Sequence, residues 1–430
     1  MWAVERDPIM RSTFLTVTVL DSAPEMSRLR TRIGDALDSF PRMRQRVRPA
    51  AGPWERPRWI DDASFDLDYH VRHVALPSPG SERDLFDLAG LCLEDTFDPV
   101  RPLWQITVVE GLAGGRAALL TKMHHTITDG VGGIRLSSSF LDLDRQGKIP
   151  VRPPADPSTS AAVEAAATPT RSIAEALSGL APAAMTAQAR RTAATATSVL
   201  RQAAIVGTSG SSLWRGKRSM GRYLDKIDLD LDDVRRAAKG LEGTINDLFV
   251  AGVAGGAAEY HRQQGVEVTE LRASMPVSTR VDRSLGGNSF VPARVLVAAG
   301  ERDPSARFQS VHQVLSRARD EPALGLAGSL SALLLALPPM ILTPLARQQI
   351  STVDFAASNL RGSPVELFVG GAAVQANYPI GPTAGVAFNA TVLSYMSRLD
   401  IGLVVDVAAI DDPLLLRNCI EGSFAELLEA

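Results

Sequence analysis

The chain has 430 residues, a formal net charge of −3 and 22% charged side chains, the balance of a globular protein without the basic footprint that nucleic acid selects. Its length exceeds what one hydrophobic core usually fills, so two domains are expected. Cys92 and Cys419 are its two cysteines, too few for a disulfide framework or a four-thiolate metal site, and a reducing cytoplasm fits them.

In chain order, Glu5, Arg6 and Asp7 precede any apolar run, which is not the pattern of a secretory signal. Thr13 to Leu20 is rich in β-branched residues and reads as a strand. Pro24 to Phe40 carries Met26, Leu29, Ile33 and Leu37 at helical spacing, and Pro41 stops it before a short strand near Met43 to Val47. Leu85 to Phe97 reads as a helix. Trp104 to Val109 and Ala117 to Met123 read as strands joined through Gly111, Gly114 and Gly115, with a helix expected from Leu136 to Leu143.

At Pro150 the composition shifts to Ala, Thr, Ser and Pro, an exposed linker to about Thr170 and then connecting helices. Structure resumes at Leu224 to Leu231, followed by a helix from Asn246 to Gln264. From Leu271 onward, strands at Arg294–Val297, Val365–Val369 and Ile401–Val407 alternate with helices at Ala306–Arg319 and Pro413–Leu428. The expected division is 1–149, 150–220 and 221–430, with a mixed α/β (α+β) architecture in two layers. Pro322 to Ala346 is the longest uncharged stretch. It is long enough to span a bilayer, but Pro338, Pro339 and Pro344 break a helix there, so a buried helix pair or an interfacial surface is expected. Arginine outnumbers lysine 40 to 5, which reads as the coding bias of a GC-rich, actinobacterial type of genome.

Residues 124–130 carry the chemistry: His124, His125, Thr126, Ile127, Thr128, Asp129 and Gly130. Histidine is the side chain whose ordinary pKa lets it take a proton near neutrality, so a pair at the end of an apolar strand proposes proton abstraction, from a hydroxyl. Neighbouring side chains on a strand face opposite ways. One histidine is therefore the candidate base and the other a support for the turn, unless the strand ends between them. The six histidines, at 70, 73, 124, 125, 261 and 312, supply no convincing further ligands, so no metal is expected. Ser137, Ser138 and Ser139 lack the glycine-flanked elbow of a serine hydrolase, and no phosphate-cradling glycine loop occurs. Asn246 and Asp247 open a helix, where both residue types cap.

The His-His-x-x-x-Asp-Gly pattern is shared by CoA-dependent acyltransferases of the chloramphenicol acetyltransferase-like superfamily and by peptide-synthetase condensation domains. Further segments follow in order over nearly the whole chain: Phe65–Arg72, Arg101–Trp104 with Glu110–Leu112, Thr244–Asp247, Met275–Ser278 with Gly287 and Asn288, Ser358–Gly362, Tyr378–Pro382 and Leu393–Tyr395. With these the chain resembles the bacterial wax ester synthase/diacylglycerol acyltransferase family.

The resemblance implies two chloramphenicol acetyltransferase-like domains, each a mixed sheet with flanking helices, and an active-site channel between them. It implies an O-acyltransferase that esterifies diacylglycerol or a long-chain alcohol from acyl-CoA, without metal or prosthetic group; acyl-CoA is a substrate. His125 would be the general base, His124 a support, and Asp129 a structural residue paired with Arg44. Gly130 would let the backbone turn beneath the base. Asn246 would bind the thioester oxygen or position His125, with Trp104 and Asp247 along the substrate channel; for Trp104 plain core is the favoured reading. Peripheral contact with membrane or lipid inclusions is expected of the 322–346 stretch. Two departures stand out: Met1–Pro8 leads into Ile9–Thr13 without the family's Met-His-Val-Gly-like stretch, and Leu360-Arg361 stands where Val-Pro is common. Both bear on the acceptor. Competing expectations are a condensation-type or polyketide-associated acyltransferase, or a weakly catalytic lipid-binding or lipid-inclusion protein of the same fold.

Overall fold

The computed structural model describes residues 5, 7–50, 57–128, 130–151, 211–278, 290–319 and 352–430. Its first part comprises β1 (Thr13–Leu20), α1 (Met26–Ser39), β2 (Gln45–Arg48), β3 (Arg58–Asp61), α2 (Leu67–His70), β4 (Val71–Ala75), α3 (Glu82–Glu94), β5 (Trp104–Leu112), β6 (Arg116–His124) and α4 (Gly130–Ser138). The second comprises β7 (Arg222–Asp230), α5 (Leu231–Gly240), α6 (Ile245–Gln263), β8 (Leu271–Ser278), β9 (Phe290–Val297) and α7 (Pro304–Arg319). It continues with β10 (Phe355–Arg361), β11 (Phe368–Val369), β12 (Ala372–Ile380), β13 (Phe388–Tyr395), β14 (Arg398–Asp406) and α8 (Pro413–Glu429).

The strands build two six-stranded mixed sheets, in the orders β11-β12-β1-β6-β5-β4 and β7-β14-β13-β10-β8-β9. In the first only β4 and β5 run parallel; in the second β10 is parallel to both β13 and β8. The small β2–β3 ribbon stands apart. Both faces of the first sheet are covered. Leu15, Val17, Val19, Ala118 and Leu120 pack against Leu85, Phe86 and Ala89 of α3, while Ala117, Leu119 and Met123 pack with Leu29, Ile33 and Leu37 of α1. This two-sided burial is why β6 reads as a continuous apolar run rather than an alternation. Each Val, Leu, Ile, Phe or Met side chain among these contributes about 1.5–3 kcal/mol relative to exposure.

The second sheet packs on α6 and α8. Helix α6 is buried nearly all round from Asp247 to Ala258, and Gly252, Gly255 and Gly256, which carry no side chain, let α8 approach closely.

The division at 149 and 221 does not separate the sheets. β12 lies beside β1 in the first sheet, with β11 on its outer side, an antiparallel β1–β12 pairing over a separation no local pattern reports. The two sheets also join directly: the Asn377 N–H donates to Asp400 Oδ2 at 2.7 Å, and Pro379 O lies where a Gly402 side chain would begin, 2.2 Å from an added Cβ.

Two element boundaries differ from expectation. The helix expected at Leu136–Leu143 begins at Gly130 and ends at Ser138. Its glycines are poor helix formers, and beyond it Val151 N–H bonds Leu141 O. The strand expected at Val365–Val369 shortens to Phe368–Val369, because the Ser363 hydroxyl accepts from Val365 N–H and turns the chain. The 150–220 linker, except its ends, and the Pro322–Ala346 stretch lie outside the described residues. Among the described residues no helix is long and apolar enough to cross a membrane.

Candidate active site

Strand β6 ends on His124, opposite Thr13 of β1. His124 N–H bonds Leu103 O at 3.1 Å and His125 N–H bonds Ser12 O at 3.0 Å, so the pair is fixed to a neighbour on each side. The strand ends between the two histidines, and their rings take different surroundings. His124 is 2% exposed and meets Phe97 edge-on. His125 is half-buried and its ring lies 4.8 Å from that of Phe14.

Both nitrogens of His124 are engaged. Thr126 N–H donates to Nδ1 at 3.0 Å, with the Thr126 hydroxyl 2.8 Å away. Nδ1 is thus an acceptor, which leaves the proton on Nε2. Nε2 lies 2.6 Å from Glu5 Oε2. Glu5 is itself held by Ser12 N–H on Oε1 at 2.8 Å. Burial pushes the Glu5 carboxyl up, but the hydrogen bond from His124, with the Ser12 donor, holds it below the ordinary carboxylate value. Two residues earlier on the same face, Lys122 donates to Asp95 O at 2.8 Å and sits over Phe97. Burial, the largest cause, pushes its amine down to about 8.

Helix α4, which opens at Gly130, lies against β10 of the second sheet. Near that contact Asn359 Nδ2 donates to Asn246 Oδ1 at 3.3 Å. Asn246 is half-buried, in the first turn of α6. The N-cap is Thr244, whose hydroxyl accepts from Asp247 N–H while Asp247 returns a bond to Thr244 N–H, a reciprocal capping box. Asp247 is fully buried, and its Oδ2 also takes His312 Nδ1 at 2.8 Å. Asp247 is therefore a helix cap.

Of the two readings of Trp104, channel or core, the surroundings are those of core. It is 1% exposed, its indole N–H donates to Met43 O at 2.8 Å, and its ring stacks on buried His70 at 4.4 Å. It is core. His70 donates from Nδ1 to Trp104 O at 2.8 Å, and burial depresses its basicity. Arg44 pairs with Asp38 at 3.5 Å and lies over Phe65; Asp129, its expected partner, lies outside the described residues.

The residues the sequence did not point to are Glu5, Ser12 and Phe14. A carboxylate 119 positions before its histidine leaves no spacing signal. Glu5 and Asp7, the two acidic residues ahead of β1, were the only trace. Among the described residues no group of three or more His, Cys, Asp or Glu side chains is placed to hold a metal ion.

Residues 5–249 match the wax ester synthase/diacylglycerol acyltransferase catalytic domain and residues 286–428 the C-terminal domain of the same enzymes. A putative diacylglycerol O-acyltransferase of Mycobacterium tuberculosis is 33% identical over 99% of this chain and 89% of its own length. A second, a probable diacylglycerol O-acyltransferase of the same species, is 29% identical over 94% of this chain and 89% of its own. Among solved structures, the wax ester synthase/diacylglycerol acyltransferase of Marinobacter aquaeolei VT8 has a TM-score of 0.67 at 20% identity, covering 97% of this chain and 94% of that one. The first condensation domain of the calcium-dependent antibiotic synthetase has a TM-score of 0.66 at 16% identity, covering 100% and 93%; that likeness is one of fold. With two domain models matched and a third of the residues shared along nearly its full length, the chain belongs to the wax ester synthase/diacylglycerol acyltransferase family and is an acyl-CoA-dependent acyltransferase.

Proposed function

We propose that the protein esterifies the free hydroxyl of diacylglycerol with the acyl chain of acyl-CoA, and that His125 is the general base. Its imidazole takes the hydroxyl proton as the oxygen attacks the thioester carbonyl. The tetrahedral intermediate collapses, the carbon–sulfur bond breaks, and the departing CoA thiolate takes the proton back from the imidazolium. A positioned base contributes about 10²- to 10⁴-fold, and alignment of two large substrates supplies much of the rest.

The observation that carries the assignment is the asymmetry of the histidine pair. His124 is buried with Nδ1 on Thr126 and Nε2 on Glu5, so neither nitrogen meets a substrate. His125 is half-buried beside Phe14. The channel is assigned to the α4–β10 contact between the two sheets, with Asn246 and Asn359 on its far side as candidate donors to the thioester oxygen. Diacylglycerol is preferred because the M. tuberculosis relatives carry that name; a long-chain alcohol is the competing acceptor.

Purified protein with palmitoyl-CoA and either dioleoylglycerol or hexadecanol, followed by thiol release and product chromatography, separates the acceptors. Triacylglycerol as the main product supports the reading. Wax ester alone moves the acceptor to alcohols, and thiol release without either ester removes the reading.

A further inference from the structure

We infer that Glu5 is a positioning residue for acyl transfer, acting through His124 and Ser12 on the backbone that carries His125; the inference rests on His125 being the base. Its carboxylate has two jobs. Oε2 faces His124 Nε2 at 2.6 Å and Oε1 accepts Ser12 N–H at 2.8 Å. Ser12 O in turn accepts His125 N–H at 3.0 Å, and Thr126 N–H closes the other side of the His124 ring at 3.0 Å. The hydrogen bonds run from Glu5 to the histidine pair by two routes, through one side chain and through one backbone.

Little water competes with this pair, since the Glu5 and His124 side chains are 13% and 3% exposed. An ionised acceptor in such surroundings makes a strong hydrogen bond. It selects the His124 tautomer with hydrogen on Nε2, which leaves Nδ1 to receive Thr126 N–H and sets the turn immediately after His125. Without the carboxylate a buried N–H loses its acceptor, and either His124 rotates or the turn relaxes. Both move His125. Glu5, which precedes β1 in the chain, thereby acts on the active site.

The test uses the full chain and compares Glu5→Ala, Glu5→Gln and His125→Ala in thiol release, with thermal unfolding measured on each. Glu5→Ala is expected to lower kcat by about 10- to 100-fold, the cost of a misplaced catalytic group, with acyl-CoA KM nearly unchanged. Glu5→Gln is expected to fall between, because its amide oxygen accepts from Nε2 but its amide cannot also serve Ser12 N–H. Added formate is expected to restore part of the Glu5→Ala turnover and none of the His125→Ala turnover.

Wild-type kcat in folded Glu5→Ala overturns the inference, as does a loss that follows the unfolded fraction and ignores formate. If Glu5→Ala does not fold, Glu5→Gln decides: reduced kcat at an unchanged melting temperature supports the role, and wild-type kcat overturns it. Full turnover in His125→Ala defeats the underlying base assignment instead.

Discussion

The ring of Phe14 lies 4.8 Å from that of His125, tilted by 51°, and its far edge faces α4, where a Cβ on Gly133 would come within 3.3 Å of Phe14 Cζ. The base is thus backed by an aromatic ring that is itself backed by a glycine. Phe14→Ala is expected to lower kcat about tenfold by letting the imidazole move, and to cost about 1–2 kcal/mol of stability, less than for a fully buried Phe. Gly133→Ala is expected to lower kcat by a smaller factor, since the ring has only a few tenths of an ångström to yield. Steady-state kinetics beside chemical denaturation read both; equal kcat in all three proteins refutes the support role.

The Thr244 cap holds the first turn of α6, and with it Asn246. Thr244→Ala removes the acceptor for Asp247 N–H at 3.3 Å and a donor to Asp247 Oδ2 at 2.8 Å. A loss of about 1 kcal/mol is expected, with a rise in acyl-CoA KM if Asn246 contacts the thioester. Urea titration and initial rates distinguish the two effects.

Much of this was legible along the chain. Thr13–Leu20 is recovered end to end as β1; the helix at Asn246–Gln264 shifts by one residue at both ends and that at Pro413–Leu428 by one at its end, because apolar spacing and caps are local signals. The pairing of β12 with β1 was not legible: Val17 meets Tyr378 across the chain, and nothing within a strand names its partner. The same holds for the site. The motif exposes both histidines, and the strand end between them gives each its own surroundings, but Glu5 and Phe14 reach them through tertiary pairing. The cap at Asp247 was legible because Thr244 lies three residues away, whereas Met43 O, which takes the Trp104 indole N–H, is met only on folding.

The contact between the sheets makes a second structural test. Gly402→Ala would set a methyl 2.2 Å from Pro379 O, a clash with backbone that rotamer changes cannot relieve. A loss of about 1–3 kcal/mol is expected, measured by thermal or urea unfolding; an unchanged midpoint contradicts the close approach.

Asp400, at the same contact, gives stability a pH dependence. Burial, the largest cause, pushes its carboxyl from 3.8 up to about 6, against the lowering by Asn377 N–H and Arg398. The folded chain therefore holds this proton to higher pH than the unfolded chain. The associated stability is fully present below 3.8 and is lost as pH rises through about 6. Asp400→Asn does not titrate, so its stability relative to wild type is expected to improve by on the order of 1–3 kcal/mol across that window. Parallel pH profiles for the two proteins would rule out the effect.

The base assignment is tested most directly by thiol release from acyl-CoA in the presence of diacylglycerol, comparing wild type with His125→Ala at matched thermal stability. The account predicts a loss of at least about 10²-fold in the variant. Equal release from the two proteins would contradict it.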